Sequence, residues 1–170
     1  MPNLTQPEGL KSTLDQISEI EKSNPKMHHR LKSVLPRAFD IRSVEAFLPK
    51  FFNNSKPFDN IWFTTSDKLN HSYIAMHHQL LAYASDYNLL STATLPHVEE
   101  LQSKSMFYAS LDHALWFHRD FRIDDWLLYA MDSPSASDSR GFSRGSIFNK
   151  KGELIASVAQ EGLISELIKK

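Results

Sequence analysis

Twenty residues from His71 to Leu90 run without a glycine or a proline, and their apolar members Met76, Leu80, Tyr83 and Tyr87 recur at three- and four-residue spacings. That spacing makes one side of an α-helix, and twenty residues of it would extend about 30 Å. The segments around it carry a different period. Phe39-Asp40-Ile41-Arg42-Ser43-Val44 alternates apolar and polar, as a half-buried strand does, and Asn60 to Thr65 is a second strand candidate. His97 to Ser105 reads as a polar loop. Further strand patterns fall at about 106–118, 126–132, 140–149 and 153–164, with Lys151-Gly152 as the hairpin turn between the last two. One long helix among antiparallel strands gives an α+β class.

At 170 residues the chain suits one domain with an appended segment. Residues 1–35 read as that appendage, a linker with a short helix. Ser12 and Asp15 give it a capping pattern, Leu14, Ile17 and Ile20 a weak apolar stripe, and Asn24-Pro25 its end. Hydrophobic residues make up 41% of the chain and include eleven Phe, enough for a real core. The 19 Lys and Arg nearly balance the 20 Asp and Glu, which argues against a nucleic-acid partner. Without cysteine there is no disulfide framework, thiol nucleophile or thiolate zinc site. No apolar run is long enough to span a membrane, and the start of the chain lacks a hydrophobic signal core. Its end, Leu167-Ile168-Lys169-Lys170, is not a Ser-Lys-Leu peroxisomal address. A soluble cytoplasmic protein is the expectation.

Several residues invite chemistry. Gly141-Phe142-Ser143-Arg144-Gly145 matches the G-x-S-x-G nucleophile elbow, which needs a strand, a sharp turn and a helix, with an acid and a His following. A strand pattern follows here, and no His occurs after His118, so Ser143 is read as a strand residue. Gln160 shares a strand face with Leu154, Ala156, Val158, Gly162 and Ile164. A carboxamide in that company must find partners or cost free energy. Asp86, late in the helix pattern among aromatics, is disfavoured by the macrodipole and gains nothing as an ordinary cap. Alternation groups Ser110 with Tyr108, Asp112, Trp116 and His118, against Phe107, Ala109, Leu111 and Phe117, and does not tell which face meets the helix. Asp112 and His113 suggest a triad with Ser110, but neighbours on a strand point to opposite faces and cannot converge without a bulge. They are read as structural. His77 and His78 sit side by side on the helix, and the His71–His78 pair has no carboxylate at a recognised spacing, so no metal site is expected.

The stretch Tyr108 to Phe121, with Trp126-Leu127-Leu128-Tyr129, Ser133-Pro134-Ser135-Ala136-Ser137, Arg140-Gly141-Phe142, Arg144-Gly145 and Ala156-Ser157-Val158-Ala159-Gln160-Glu161-Gly162, resembles the C-terminal half of an acyl-CoA thioesterase II. That family is built from two hotdog domains in one polypeptide. The resemblance implies a hotdog fold, one long helix on a curved antiparallel sheet, over residues 36–170. It implies that 1–35 is an interdomain connector and that the chain is an excised half. It also implies hydrolysis of fatty acyl-CoA by water held between Asp86, Ser110 and Gln160, with no cofactor. Arg119, Arg122, Arg140 and Arg144 are then candidates for the CoA phosphates, and a second hotdog domain or a second copy is the expected partner. Ser133 to Ser139, flexible by composition, becomes an ordered piece of the domain. Asp120 stands where a proline commonly follows His-Arg, and Asp138-Ser139 replaces small residues; neither change touches the three catalytic positions. Two other classes remain: a non-catalytic half that binds acyl-CoA or only assembles, and another hotdog reaction such as dehydration of a hydroxyacyl thioester.

Overall fold

A computed structural model describes residues 1–69 and 73–167. Its centre is one antiparallel sheet. Strands β1 (Phe39–Ser43), β2 (Phe58–Thr65), β5 (Leu127–Ser137), β6 (Arg140–Asn149) and β7 (Leu154–Glu166) lie side by side in the order β1-β2-β5-β6-β7. Two short strands, β3 (Met106–Ser110) and β4 (Ala114–Phe117), share the far side of β7. The alternating segments of the sequence thus become strands, and β1 keeps the expected in-out burial.

The Ser/Pro run is strand as well. β5 continues through it to Ser137, with Ser133 and Pro134 together facing one residue of β6 between the Asp132–Arg144 and Ser135–Phe142 pairs. A bulge is where a strand accommodates proline. Asp138 and Ser139, both left-handed, then close the β5–β6 hairpin.

The helical segment differs from the sequence expectation in length and in face. His71 and Ser72, where it was expected to begin, lie outside the described residues. The long helix, Ile74–Asp86, stops four residues before Leu90. Tyr87 turns extended and Asn88 is left-handed (φ 64°) before a second short helix, Leu89–Thr92. Asparagine tolerates that conformation better than most residues, and the Asn88 side chain is held by Asp59, 3.2 Å away on β2. Met76 and Tyr83, expected on the packed side, are 45% and 61% exposed. The buried side is His77, Leu81, Ala84 and Ser85. Leu80 and Tyr87 of the expected stripe do pack against the core from its margin, so the packed side is rotated from the stripe and shares only part of it.

Leu81 and Ala84 enter a core with Phe39, Ile61, Phe63, Leu127, Tyr129, Ile147, Ile155 and Val158. A helix on an antiparallel sheet, with the core between them, is the layout expected of a hotdog. The N-terminal segment adds two helices. The first (Thr13–Glu19) stops at Ile20, before the expected Asn24, and Asn24 instead caps a second (Pro25–Val34), its side chain accepting from the Met27 amide. Ile17, Leu31 and Phe47 form a separate small cluster there. The Trp62 indole donates to the Thr5 carbonyl (2.9 Å) and Arg42 to the Pro7 carbonyl (2.8 Å), tying the segment to β2 and β1. Among the described residues no helix is long and apolar enough to cross a membrane.

Gly145 makes room for the Tyr129 ring, which a β-carbon there would overlap. The Tyr129 hydroxyl donates to the Ser85 carbonyl (2.7 Å) in the last turn of the helix. Gly145→Ala should therefore push the ring aside and cost about 1–3 kcal/mol as overpacking does. Urea unfolding with an unchanged midpoint would contradict this.

Candidate active site

The edge formed by β3 and β4 departs from a simple strand at one place. Ser110 pairs with Gly162 and Ala114 with Ala159, so three residues, Leu111 to His113, face only two, Gln160 and Glu161. Both the Leu111 and the Asp112 amide point at the Glu161 carbonyl, at 2.9 and 3.4 Å. This is a β-bulge, and the extra residue inverts the alternation beyond it. Ser110 now shares the helix-facing side with His113 rather than with Asp112. Convergence of His113 with Ser110 was expected to need a bulge, and this one supplies it, so His113 is not the purely structural residue expected. Asp112 takes a different task, accepting from the Glu161 amide at 2.7 Å.

Three groups expected from the sequence meet at this edge. Gln160 is fully buried on β7, on the face predicted for it. Its amide nitrogen donates to Asp86 Oδ1 at 2.9 Å and to Ser110 Oγ in a short contact. Asp86 is the last residue of the helix, and its side chain is 60% exposed. Helix end, edge strand and inner strand each contribute one group, with the carboxamide as the link.

Two further residues join them. The His113 ring lies with Nδ1 3.4 Å from Gln160 Oε1 and 3.9 Å from Asp86 Oδ1, and with Nε2 2.9 Å from Ser85 Oγ. Ser85 also reaches the Ala82 carbonyl (2.9 Å). Burial, with the Asp86 charge adding to it, pushes the Tyr129 phenol well above its ordinary pKa, so it stays protonated as the donor to Ser85. The sequence held no signal for His113 at this site, because regular alternation assigns it to the face opposite Ser110.

The remaining candidates lie elsewhere. Ser143 sits in β6 between the β5 bulge and Gln160 of β7, buried, with no elbow and no helix after it. His77 accepts from the Ile123 amide (3.2 Å), and His78 stacks on Phe117 with ring centres 4.4 Å apart. His71 is outside the described residues. Among the arginines, Arg122 holds Asp124 through two nitrogens (2.9 and 2.8 Å), Arg140 pairs with Glu161 (3.1 Å) and Arg144 with Asp132 (2.5 Å). Arg119 donates to the Leu154 carbonyl at 2.7 Å. A cavity of about 510 Å³ is lined by Arg122, Lys68, Lys150, Lys151, Asp124 and Trp126 among others. It opens at the Asn149 end of β6, six residues or roughly 20 Å of strand from Ser143, and none of Asp86, Ser110 and Gln160 lines it.

Comparison with known proteins places these observations. The acyl-CoA thioesterase family model matches residues 39–163. The chain is 35% identical over 166 residues to acyl-CoA thioesterase 2 of Haemophilus influenzae, covering 96% of this chain and 57% of that protein. It is 35% identical over 172 residues to acyl-coenzyme A thioesterase 8 of Mus musculus, covering 96% and 52%. The crystal structure of acyl-CoA thioesterase II TesB2 from Mycobacterium marinum superposes with a TM-score of 0.72 at 34% identity, over 98% of this chain and 56% of that one. The chain thus spans about half the length of the curated relatives it matches.

Proposed function

The chain belongs to the acyl-CoA thioesterase family, and from that premise we propose that it hydrolyses fatty acyl-CoA to free acid and CoA with a water held by Asp86, Ser110 and Gln160. The observation that carries this reading is the Gln160 amide, bonded at once to a carboxylate and a hydroxyl at an open edge of the fold. A primary amide has two hydrogens, and both are engaged in this resting cluster. Gln160 therefore orients, while Asp86 accepts the proton of the attacking water through its exposed carboxylate. The water oxygen bonds to the thioester carbonyl carbon, the C–S bond breaks, and CoA leaves as thiolate. Backbone N–H groups or the Gln160 amide are the candidates for the developing oxyanion. The proton on Asp86 then returns to solvent or the thiolate. Arg119, Arg122, Arg140 and Arg144 are the candidates for the CoA phosphates.

The experiment is release of CoA thiol from a panel of acyl-CoAs. Turnover of fatty chains supports the reading, and no turnover by a chain supplied with a second hotdog domain opposes it.

A non-catalytic half is the second reading, favoured by what lies around the cluster. Phe107, Leu111, Trp116 and Phe117 are exposed along β3 and β4. Exposed apolar patches of this kind mark interaction surfaces. A second hotdog domain, or a second copy about a two-fold axis, would cover that edge. The chain alone is expected to self-associate and to turn over weakly, and an upstream hotdog domain to raise its rate. A stable monomer in light scattering at micromolar concentration, as fast as the two-domain protein, would rule this out. Dehydration has less support: His77 and His78, the helix histidines it would use, are committed to Ile123 and Phe117.

A further inference from the structure

We propose that His113 is a positioning residue that fixes which way the Gln160 amide points, an inference that rests on the hydrolytic reading of the same cluster. A carboxamide can be turned end for end, and in one of the two orientations Gln160 opposes the reaction. The Asp86 carboxylate only accepts hydrogen bonds, so the Gln160 nitrogen must face it, as it does at 2.9 Å. The Gln160 oxygen is then left toward His113 Nδ1, 3.4 Å away. An amide oxygen also only accepts, so Nδ1 must carry a hydrogen.

The other ring nitrogen has a partner that permits this. His113 Nε2 lies 2.9 Å from the Ser85 hydroxyl, which rotates between donating to that nitrogen and donating to the Ala82 carbonyl, also 2.9 Å away. In the neutral ring Nε2 accepts from Ser85 while Nδ1–H donates to Gln160. In the opposite tautomer the Nδ1 lone pair would meet the Gln160 oxygen. The amide would then flip and set its oxygen against the Asp86 carboxylate and turn its donor away from Ser110. The ring is anchored to the helix of which Asp86 is the last residue, because Ser85 precedes Asp86 and its carbonyl is held by Tyr129. The bulge at Leu111–His113 brings the ring to this side of the sheet. One histidine thus links the two elements that carry the acid and the amide.

The tautomer is read directly, without turnover, from long-range imidazole nitrogen–proton correlations of the full chain near neutral pH, with His113→Asn identifying the resonances. A hydrogen on Nδ1 is expected; a neutral ring protonated at Nε2 alone overturns the proposal. Kinetics give a second reading. Asparagine carries an amide nitrogen where histidine has Nδ1, and glutamine reaches instead to the place of Nε2. His113→Leu should lower kcat by about 10- to 10²-fold, as misplacement of a catalytic group does, with KM near wild type. His113→Asn should recover most of the rate and His113→Gln little of it. Wild-type kcat in folded His113→Leu, or equal losses in the Asn and Gln variants, would overturn it. Asp86→Asn, measured alongside, separates the two ideas. If Asp86→Asn is inactive and His113→Leu is normal, only the positioning role fails; if Asp86→Asn turns over normally, the hydrolytic reading fails instead.

Discussion

Asp86→Asn should lower kcat by about 10² or more while leaving the fold intact. Asparagine keeps the shape of the side chain and can still accept from Gln160, so the cluster does not collapse. What it lacks is the basic oxygen to which the proposed mechanism passes the proton of water. Because the Asp86 side chain is 60% exposed at the end of the helix, the change buries no new polar group and should barely move the unfolding midpoint. A fall in kcat with KM near wild type would place the loss in the transition state rather than in binding. Near-normal turnover by the folded variant would remove Asp86 from the mechanism.

Gln160→Ala should cost about as much, on the order of 10²-fold in kcat. It removes a group that touches both Asp86 and Ser110, so both partners lose their orientation together. Gln160→Glu should do no better, since a carboxylate in that place would set a second negative charge against Asp86 and could not donate to Ser110. Gln160 is buried, so the alanine variant should also lose stability, and its unfolding midpoint separates that effect from the kinetic one. A folded Gln160→Ala variant with a wild-type rate would leave the carboxamide a structural role alone.

How much of this was legible in the sequence depends on how local the cause was. β1, β2 and the hairpin of β6 and β7 follow from alternation and turn residues. Gln160 could be placed because a strand's period of two puts it on an apolar face, and it is buried there. The helix was read one turn too long because its end is set by Asn88, whose left-handed backbone is held by Asp59 on a distant strand. Its packed face is only partly legible: Leu80 and Tyr87 of the apolar pattern pack on the core, but Met76 and Tyr83 do not, and the fully buried side is built of His77, Leu81, Ala84 and Ser85. His113 was set aside because a bulge exists only relative to a partner strand. The one-residue excess at Leu111–His113 appears only when Ser110 and Ala114 are matched to Gly162 and Ala159. Ser85 and Tyr129 escaped notice for the same reason, since each acts through a tertiary contact.

The claim that water attacks the thioester directly is tested by a single turnover of acyl-CoA in ¹⁸O-water, with the chain in excess and paired with a second hotdog domain if it needs one. Direct attack predicts one ¹⁸O in the released fatty acid, ¹⁶O retained in Asp86, and no change in protein mass at any quench time. An acyl group trapped on Ser110, or ¹⁸O in Asp86 with an unlabelled fatty acid, would contradict it.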